Sequence, residues 1–407
     1  MKNKKLYYAF RDMCLYAEFL GNRALAERAS RVLLMLENVP DERLDSRTAE
    51  DIASIGFDRQ SAREIVDFGE ERTLKSSEDI RACIDESVQL LIRPGFMPVE
   101  LIRRMVDACG NDRKRWLAFL SSSEIVADLG AMQAELYRHF VATIDGSGFS
   151  ERYRFDYNES DRPMAHVCGV PIRGSFHNHT QYSDGRNTIR QLIELAIAAG
   201  RDYIGISDHT KRLDGVGPSD LDRQSAEVES VSREYAEIAL MKSAECEILP
   251  NGDLDLEDSS MAKLDYVIAA VHCEVTQTRD VATRRLLRAI ENPYVSILAH
   301  PSSRLYRKSP GLLLDMKKII DFCIDKGVAI EINGDPSRLD LAPEFVAYAV
   351  GRGAYFTIDA DTHSSAGFNN INNAVRIAED QGVPAERILN TFELEELQCY
   401  FKQRQHR

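Results

Sequence analysis

Two hydrophobic periodicities divide this chain. From the start to about residue 145, apolar positions recur at helical spacing and strand-like runs of β-branched residues are absent. The stretch from Ala24 to Leu36 combines that spacing with Ala, Leu, Glu, Arg and Met, all good helix formers. The same pattern predicts helices over 48–55, 60–72, 77–90, 98–109 and 131–144. Between about 146 and 173 the text turns polar and is punctuated by Gly and Pro, which predicts a linker. After residue 174, short apolar runs alternate with amphipathic segments. The runs predict strands over 174–178, 203–207, 243–248, 265–271, 295–299, 328–332 and 354–358. The segments predict helices over 188–199, 220–236, 281–291, 311–326 and 341–351. Strands alternating with helices imply a parallel sheet and an α/β fold. The expected organisation is an all-helical domain at 1–145, a linker at 146–173 and an α/β domain at 174–407.

Composition changes this picture little. The chain has 407 residues, 44% hydrophobic and 29% charged, as in an ordinary globular protein. No apolar run approaches the roughly 20 residues of a membrane span, and the N-terminus is too broken for a signal-peptide core. No membrane partner is expected. The eight cysteines are scattered without a CxxC pair, which predicts free thiols and a cytoplasmic location. A formal net charge of −14 argues against a protein that coats nucleic acid non-specifically.

Candidate chemistry lies where the predicted strands end. Six of the nine histidines each stand just past an apolar run in the second half: His177, His179, His209, His272, His300 and His363. His177 and His179 are two apart, so on a strand they share a face, and Asp361 and His363 do likewise. Asp184 sits on the turn after the first strand, with Gly185 allowing a tight bend. The third strand offers Glu245 and Glu247, again two apart. Imidazoles with carboxylates form a mixed nitrogen and oxygen set suited to Zn, Mn or Fe. So many ligands exceed the needs of one ion and predict two or three divalent metal ions sharing carboxylates. Such clusters suit phosphoester hydrolysis, since they generate hydroxide and stabilise charge on phosphoryl oxygens. Ligands at nearly every strand end also favour closure into a barrel, whose C-terminal strand ends converge on one face. A doubly wound sheet gathers ligands from only two or three strands.

The run from Phe176 to Gly185 (FHNHTQYSDG) resembles the first motif of the polymerase and histidinol phosphatase (PHP) family, and Ile206-Ser207-Asp208-His209-Thr210 resembles its second. The likeness is greatest to the PHP domain of bacterial family X DNA polymerases. It extends over Ala244 to Leu249, the Asp265 to His272 stretch, Glu331-Ile332-Asn333, Ser337 to Leu341 and Asp361-Thr362-His363. The resemblance covers roughly 174–400 and implies a distorted (β/α)7 barrel, three metals and phosphoesterase activity, either phosphatase or 3′-5′ exonuclease. By position it implies His177, His179, Asp184, His209, Glu245, His272, His300, Asp361 and His363 as metal ligands, and it prefers Glu245 over Glu247. Asp184, Asp208 and His209 are the expected catalytic groups, Asp208 as an orienting group or proton acceptor.

Residues 1–145 resemble, more weakly, the DNA-end-binding and helix-hairpin-helix segments that open family X polymerases. Ile55-Gly56-Phe57-Asp58 and Pro94-Gly95-Phe96-Met97 occupy the hairpin positions, but Asp58 and Met97 stand where a second glycine would let a phosphate approach. Asp58 would repel that phosphate. The polymerase palm has no room between about 145 and 174, so polymerase activity is not expected. Basic residues near the second hairpin (Arg93, Arg103, Arg104, Arg113, Lys114 and Arg115) suit DNA contact or a solvated helix face, and this half is mildly acidic overall.

Lys211, Arg212, Arg304, Arg307, Lys308 and Arg338 lie just past strand ends, and an arginine fork suits phosphate. Arg304, Arg338 and Asn333 are the expected phosphate-binding residues, and a phosphorylated molecule is the expected partner. Two other readings stand beside the phosphoesterase. An amidohydrolase-like barrel also opens with HxH, but it usually has eight strands and a bridging lysine after the fourth, and neither is found here. A non-catalytic DNA-repair adaptor would carry the barrel as a scaffold, which the intact ligand set disfavours.

Overall fold

The computed structural model describes residues 4–38, 44, 47–71, 74–92, 97–143, 163–305, 309 and 311–405. Most of the predicted linker, Pro94 to Phe96, Arg93, Arg307 and Lys308 lie outside these residues. Two compact units divide the chain, the first ending at Gly146.

In the first unit the described residues with regular structure are helical. Arg23–Asn38, Ala49–Ser54, Arg59–Glu71, Val99–Cys109 and Ala131–Thr143 match predicted helices. The single helix expected over 77–90 is instead two, Lys75–Arg81 and Glu86–Ile92. Asp85 makes the break by starting the second helix: its carboxylate accepts from Ser87 N at 2.9 Å and its carbonyl from Val88 N at 3.0 Å. Three helices were not foreseen, Lys4–Phe19, Arg113–Leu120 and Ser123–Leu129. The last two are short and owe their starts to caps, Asp112 on Lys114 N and Arg115 N, and Ser122 on Ile125 N. Phe10, Met13, Val32, Leu36, Ile52 and Ile65 form the buried centre.

The second unit contains the strands. A small antiparallel pair, β1 (His166–Val167) and β2 (Val170–Pro171), precedes the parallel ones. The seven expected strands appear as β3 (Gly174–Ser175), β4 (Tyr203–Ile206), β6 (Glu245–Glu247), β7 (Val267–Ala270), β8 (Val295–Leu298), β9 (Ala329–Asn333) and β10 (Phe356–Asp359), and a further strand not foreseen, β5 (Ala239–Lys242), lies just before the third. The chain breaks between β5 and β6 because it changes partner. β5 pairs with β4, and β6 pairs with β7. The pairing is therefore a three-stranded sheet, β3-β4-β5, and a five-stranded sheet, β10-β9-β8-β7-β6, and not one closed ladder. Isolated parallel bridges, Asn178 with Thr362 and His209 with Glu245, link first strand to last and second to third. These strands run apolar without alternation, as parallel strands covered on both faces must.

Beneath the strand ends lies an aromatic plug. Phe176, Tyr203 and Tyr266 are fully buried against Phe401 of the C-terminal helix Leu394–Gln405. Tyr266 Oη donates to the Phe176 carbonyl at 2.6 Å, and its ring stacks on Phe401 at 4.9 Å between centroids. Gly205 is required there, since a Cβ would stand 1.8 Å from Tyr266 Oη. No helix among the described residues is long and apolar enough to cross a membrane, and the eight cysteines are free.

Candidate metal centre

The nine side chains proposed from sequence converge at the C-terminal ends of the parallel strands. His177 and His179 follow β3, and Asp184 follows them on a turn where Gly185 lies so close to the His179 carbonyl that a Cβ would stand 2.3 Å from it. His209 follows β4, Glu245 stands on β6, His272 and His300 follow β7 and β8, and Asp361 and His363 follow β10. Their donor atoms fall into four overlapping groups, each within 4.8 Å: His179, Asp184, His209 and His363; His177, His300 and Asp361; His177, His179 and Glu245; and His209, Glu245 and His272. Among the described residues these are the sets of ligand atoms close enough to hold an ion. Backbone strain accompanies them, for His300 (φ 28°) and Asp361 (φ 50°) adopt a conformation that costs a non-glycine residue about 1–3 kcal/mol.

Glu245 is the hub. Its Oε2 lies 2.7 Å from His209 Nδ1 and 3.3 Å from His177 Nε2, and its Oε1 lies 2.9 Å from His300 Nε2 and 3.3 Å from His272 Nε2. Glu247, left open by its spacing, does something else. It accepts from His272 N, His272 Nδ1 (2.8 Å) and Cys273 N (3.0 Å).

Many polar atoms of these side chains are unsatisfied. His177 Nε2, both ring nitrogens of His179, His209 Nδ1, Glu245 Oε2, His272 Nε2, His300 Nδ1 and Asp361 Oδ1 are buried without a hydrogen-bond partner. Several face one another across 3 to 4 Å at angles that make no hydrogen bond, as His179 Nε2 does to Asp361 Oδ1 at 3.2 Å. Buried polar atoms are nearly always paired, and a cluster of unpaired donor atoms among neighbouring side chains is what a cation site offers. The donor set, imidazole nitrogens with carboxylate oxygens, fits that reading.

The electrostatics point the same way. Burial penalises charge on Glu245 and Asp361, yet proximity to histidines holds both well below the usual carboxylate range. Burial likewise opposes charge on His272 and His363, but the adjoining carboxylates lift both to about 9. His300 drops to about 3, through burial and then Arg338.

The structure redirects three expectations. Asp208, expected in catalysis, is fully buried and its carboxylate accepts from Thr180 N, Thr180 Oγ1, Ser183 Oγ and Gln224 Nε2. With four donors on it, Asp208 is a brace for the Thr180–Asp184 turn and not a free proton acceptor. Arg304 is engaged with backbone: its Nε and Nη2 donate to the Arg338 carbonyl at 2.9 and 2.6 Å, and Nη2 also to that of Leu339. Asn333 is fixed between Glu331 and Asp361, with Nδ2 3.0 Å from Glu331 Oε2 and 3.4 Å from Asp361 Oδ2. Arg338 also reaches the centre, Nε to Asp361 Oδ2 at 3.0 Å. Of the basic residues beyond β4, Arg212 pairs with Glu274 at 2.9 Å on the surface.

Sequence reasoning gave no role to Glu331. Its signal was present: a carboxylate inside the apolar strand Ala329–Asn333 is a buried charge that needs partners.

In the helical unit, Asp58 stands at a helix start. Its carboxylate accepts from Ser61 N at 2.9 Å and Ser61 Oγ at 2.6 Å at the start of Arg59–Glu71. The nearby basic residues are engaged within the unit: Arg103 donates to the Phe19 carbonyl at 2.9 Å, Arg104 contacts Asp128 at 3.3 Å, and Arg113 donates to the Val141 carbonyl at 3.0 Å.

Residues 175–335 match the PHP domain family. The DNA polymerase/3′-5′ exonuclease PolX of Bacillus subtilis is 31% identical over 57% of this chain, but the match spans only 41% of that polymerase. A probable phosphatase of Caldanaerobacter subterraneus subsp. tengcongensis is 28% identical over 57% of this chain and 91% of its own length. The solved histidinol phosphate phosphatase of Lactococcus lactis, in complex with zinc, L-histidinol and phosphate, aligns over 52% of this chain and 94% of its own with 15% identity and a TM-score of 0.39.

Proposed function

Since residues 175–335 form a PHP domain, we propose that the chain is a metal-dependent phosphoesterase, its unit from 174 onward a distorted (β/α)7 barrel with the metals at its mouth. The observation that carries this reading is the set of unpaired, buried nitrogen and oxygen atoms on seven of the nine converging side chains. His177, His179, Asp184, His209, Glu245, His272, His300, Asp361 and His363 would hold two or three divalent ions, with Glu245 shared among them. Ions so held supply Lewis acidity and an activated water for attack on phosphorus.

The chain's own groups do the rest. Asp208 and Gln224 lock the turn that carries Asp184, so this partly exposed carboxylate is presented beside His209 and His363 at 3.7 and 3.2 Å. Arg338, anchored on Asp361 through Nε, is the group placed to bind the anionic substrate and orient it. Arg304 fixes the backbone that carries Arg338. Burial of the cluster excludes bulk water and strengthens each of these interactions.

A phosphomonoester is favoured over a DNA end. The relatives that match along nearly their whole length are named probable phosphatases, and Arg103, Arg104 and Arg113 of the helical unit contact its own carbonyls and carboxylates. The test is metal analysis of the purified protein, then phosphate release from phosphorylated metabolites and nucleotide release from 5′- and 3′-labelled oligonucleotides. Metal-dependent phosphate release that is absent in His177→Ala supports the reading. No release of phosphate or nucleotide from the metal-replete protein, with His177→Ala indistinguishable, would sink it.

A further inference from the structure

Two buried carboxylates touch the candidate metal centre without belonging to any group of ligand atoms, and they stand in matching relations to two of its histidines. Glu331 Oε1 is 2.6 Å from His177 Nδ1. Its other oxygen accepts from His300 N at 2.8 Å and from Asn333 Nδ2 at 3.0 Å, and Asn333 Nδ2 reaches Asp361. One carboxylate therefore touches, directly or through Asn333, all three members of the group His177, His300 and Asp361. Glu247 does the same for His272, with Oε2 on Nδ1 at 2.8 Å and both oxygens on the amides of His272 and Cys273. In both rings the nitrogen facing away from the carboxylate, Nε2, is buried without a partner and points into the centre.

An ionised carboxylate only accepts hydrogen bonds, so the ring nitrogen against it carries the proton and the opposite nitrogen presents its lone pair. We propose that Glu331 and Glu247 are positioning residues that hold His177 and His272 in the Nε2-ligating tautomer. Each does so for one side of the metal cluster. Neither is a ligand. The third side is built differently: His363 Nδ1 meets a backbone carbonyl, that of Asp361, at 2.9 Å, and the carboxylates beside His179 and His209 are themselves among the nine.

This inference rests on the metal-dependent reading above, and glutamine at either position separates the two. A glutamine keeps the shape but replaces one accepting oxygen with an NH2. At Glu331 both oxygens face donors. The amide will place its oxygen on the pair His300 N and Asn333 Nδ2 and its NH2 on His177 Nδ1. That forces the lone pair to Nδ1 and puts a proton on the nitrogen needed for the metal. Glu247 is surrounded by donors in the same way.

The experiment is chelator competition for zinc on the full chain, with 15N-imidazole NMR of the zinc-loaded protein. Wild type should show Nδ1-protonated His177 and His272. Glu331→Gln and Glu247→Gln should each weaken zinc about 10- to 100-fold, with a tautomer change confined to His177 or to His272 respectively. Variants that hold zinc as wild type does, or a wild-type spectrum with Nε2-protonated rings, overturn the proposal. If a variant fails to fold, the wild-type spectrum alone decides. If wild type binds no zinc, the metal-dependent reading itself has failed, which is a separate result.

Discussion

Glu245 Oε2 lies 2.7 Å from His209 Nδ1, both atoms buried, and no hydrogen bond joins them. That misalignment in a fully buried pair is the clearest sign that a third body is meant to sit near both. Glu245→Gln removes the central negative charge from among His177, His209, His272 and His300. Metal binding should weaken by more than the about 10- to 100-fold that loss of an outer partner costs. The metal-free protein should also lose about 3–5 kcal/mol, because the buried imidazolium groups of His177 and His272 are left uncompensated. Urea unfolding of metal-free protein checks the second point, and an unchanged midpoint would refute it.

The raised histidines make a pH prediction. Burial opposes their charge, but Glu245 and Glu247 hold His272 at about 9, and Asp184 and Asp361 hold His363 there too. A pKa raised on folding stabilises fully below the ordinary value of 6.5, and that stabilisation is lost as pH climbs through about 9. Metal-free protein should therefore become less stable between about pH 6.5 and 9. Over the same interval divalent cations should bind more tightly, since each must displace these protons. Thermal melts with and without zinc, taken across that range, should diverge, and parallel curves would contradict the assignment.

The aromatic plug supplies a test of the frame beneath the centre. Gly205→Ala drives a Cβ against Tyr266 Oη and should cost about 1–3 kcal/mol by overpacking. Tyr266→Phe removes that oxygen and its bond to the Phe176 carbonyl, at a cost of about 1 kcal/mol. Together the two changes should cost clearly less than their sum. Strict additivity in denaturant unfolding would mean the contact is relieved some other way.

In the helical unit, Asp58 serves as a helix start and not as a gap in a phosphate site. Asp58→Ala should destabilise by about 1 kcal/mol through loss of the contact to Ser61 N. The full chain should not shift nicked or gapped DNA at physiological salt, and neither should Asp58→Gly. Clear retardation of such DNA by the unaltered chain would instead support a repair-type partner for this half.

Much of this was legible in the sequence because the signals were local. Strand positions followed from apolar runs such as Val267 to Ala270, and helices such as Ala49–Ser54 and Ile189–Ala198 from apolar spacing. His177, His179, His209, His272, His300 and His363 announced themselves by standing where such runs stop. The break between β5 and β6 was not legible, since a change of pairing partner leaves no mark on periodicity. Nor was the split of the expected 77–90 helix, where Asp85 competes for the backbone over a single turn.

The residues that would bind the ions were thus determined by the sequence alone, as ligand types at strand ends. The spacing of Glu245 and Glu247 leaves the choice of carboxylate open, and the tertiary structure shows what each one touches. Glu245 and Glu247 share a strand and a spacing, yet one faces the imidazoles of five histidines and the other the amides of His272 and Cys273. Arg304 and Arg338 likewise look equivalent in sequence, but only Arg338 reaches the centre. The reason is physical: a ligand type is a property of one side chain, whereas a role depends on which donors from distant strands reach it first.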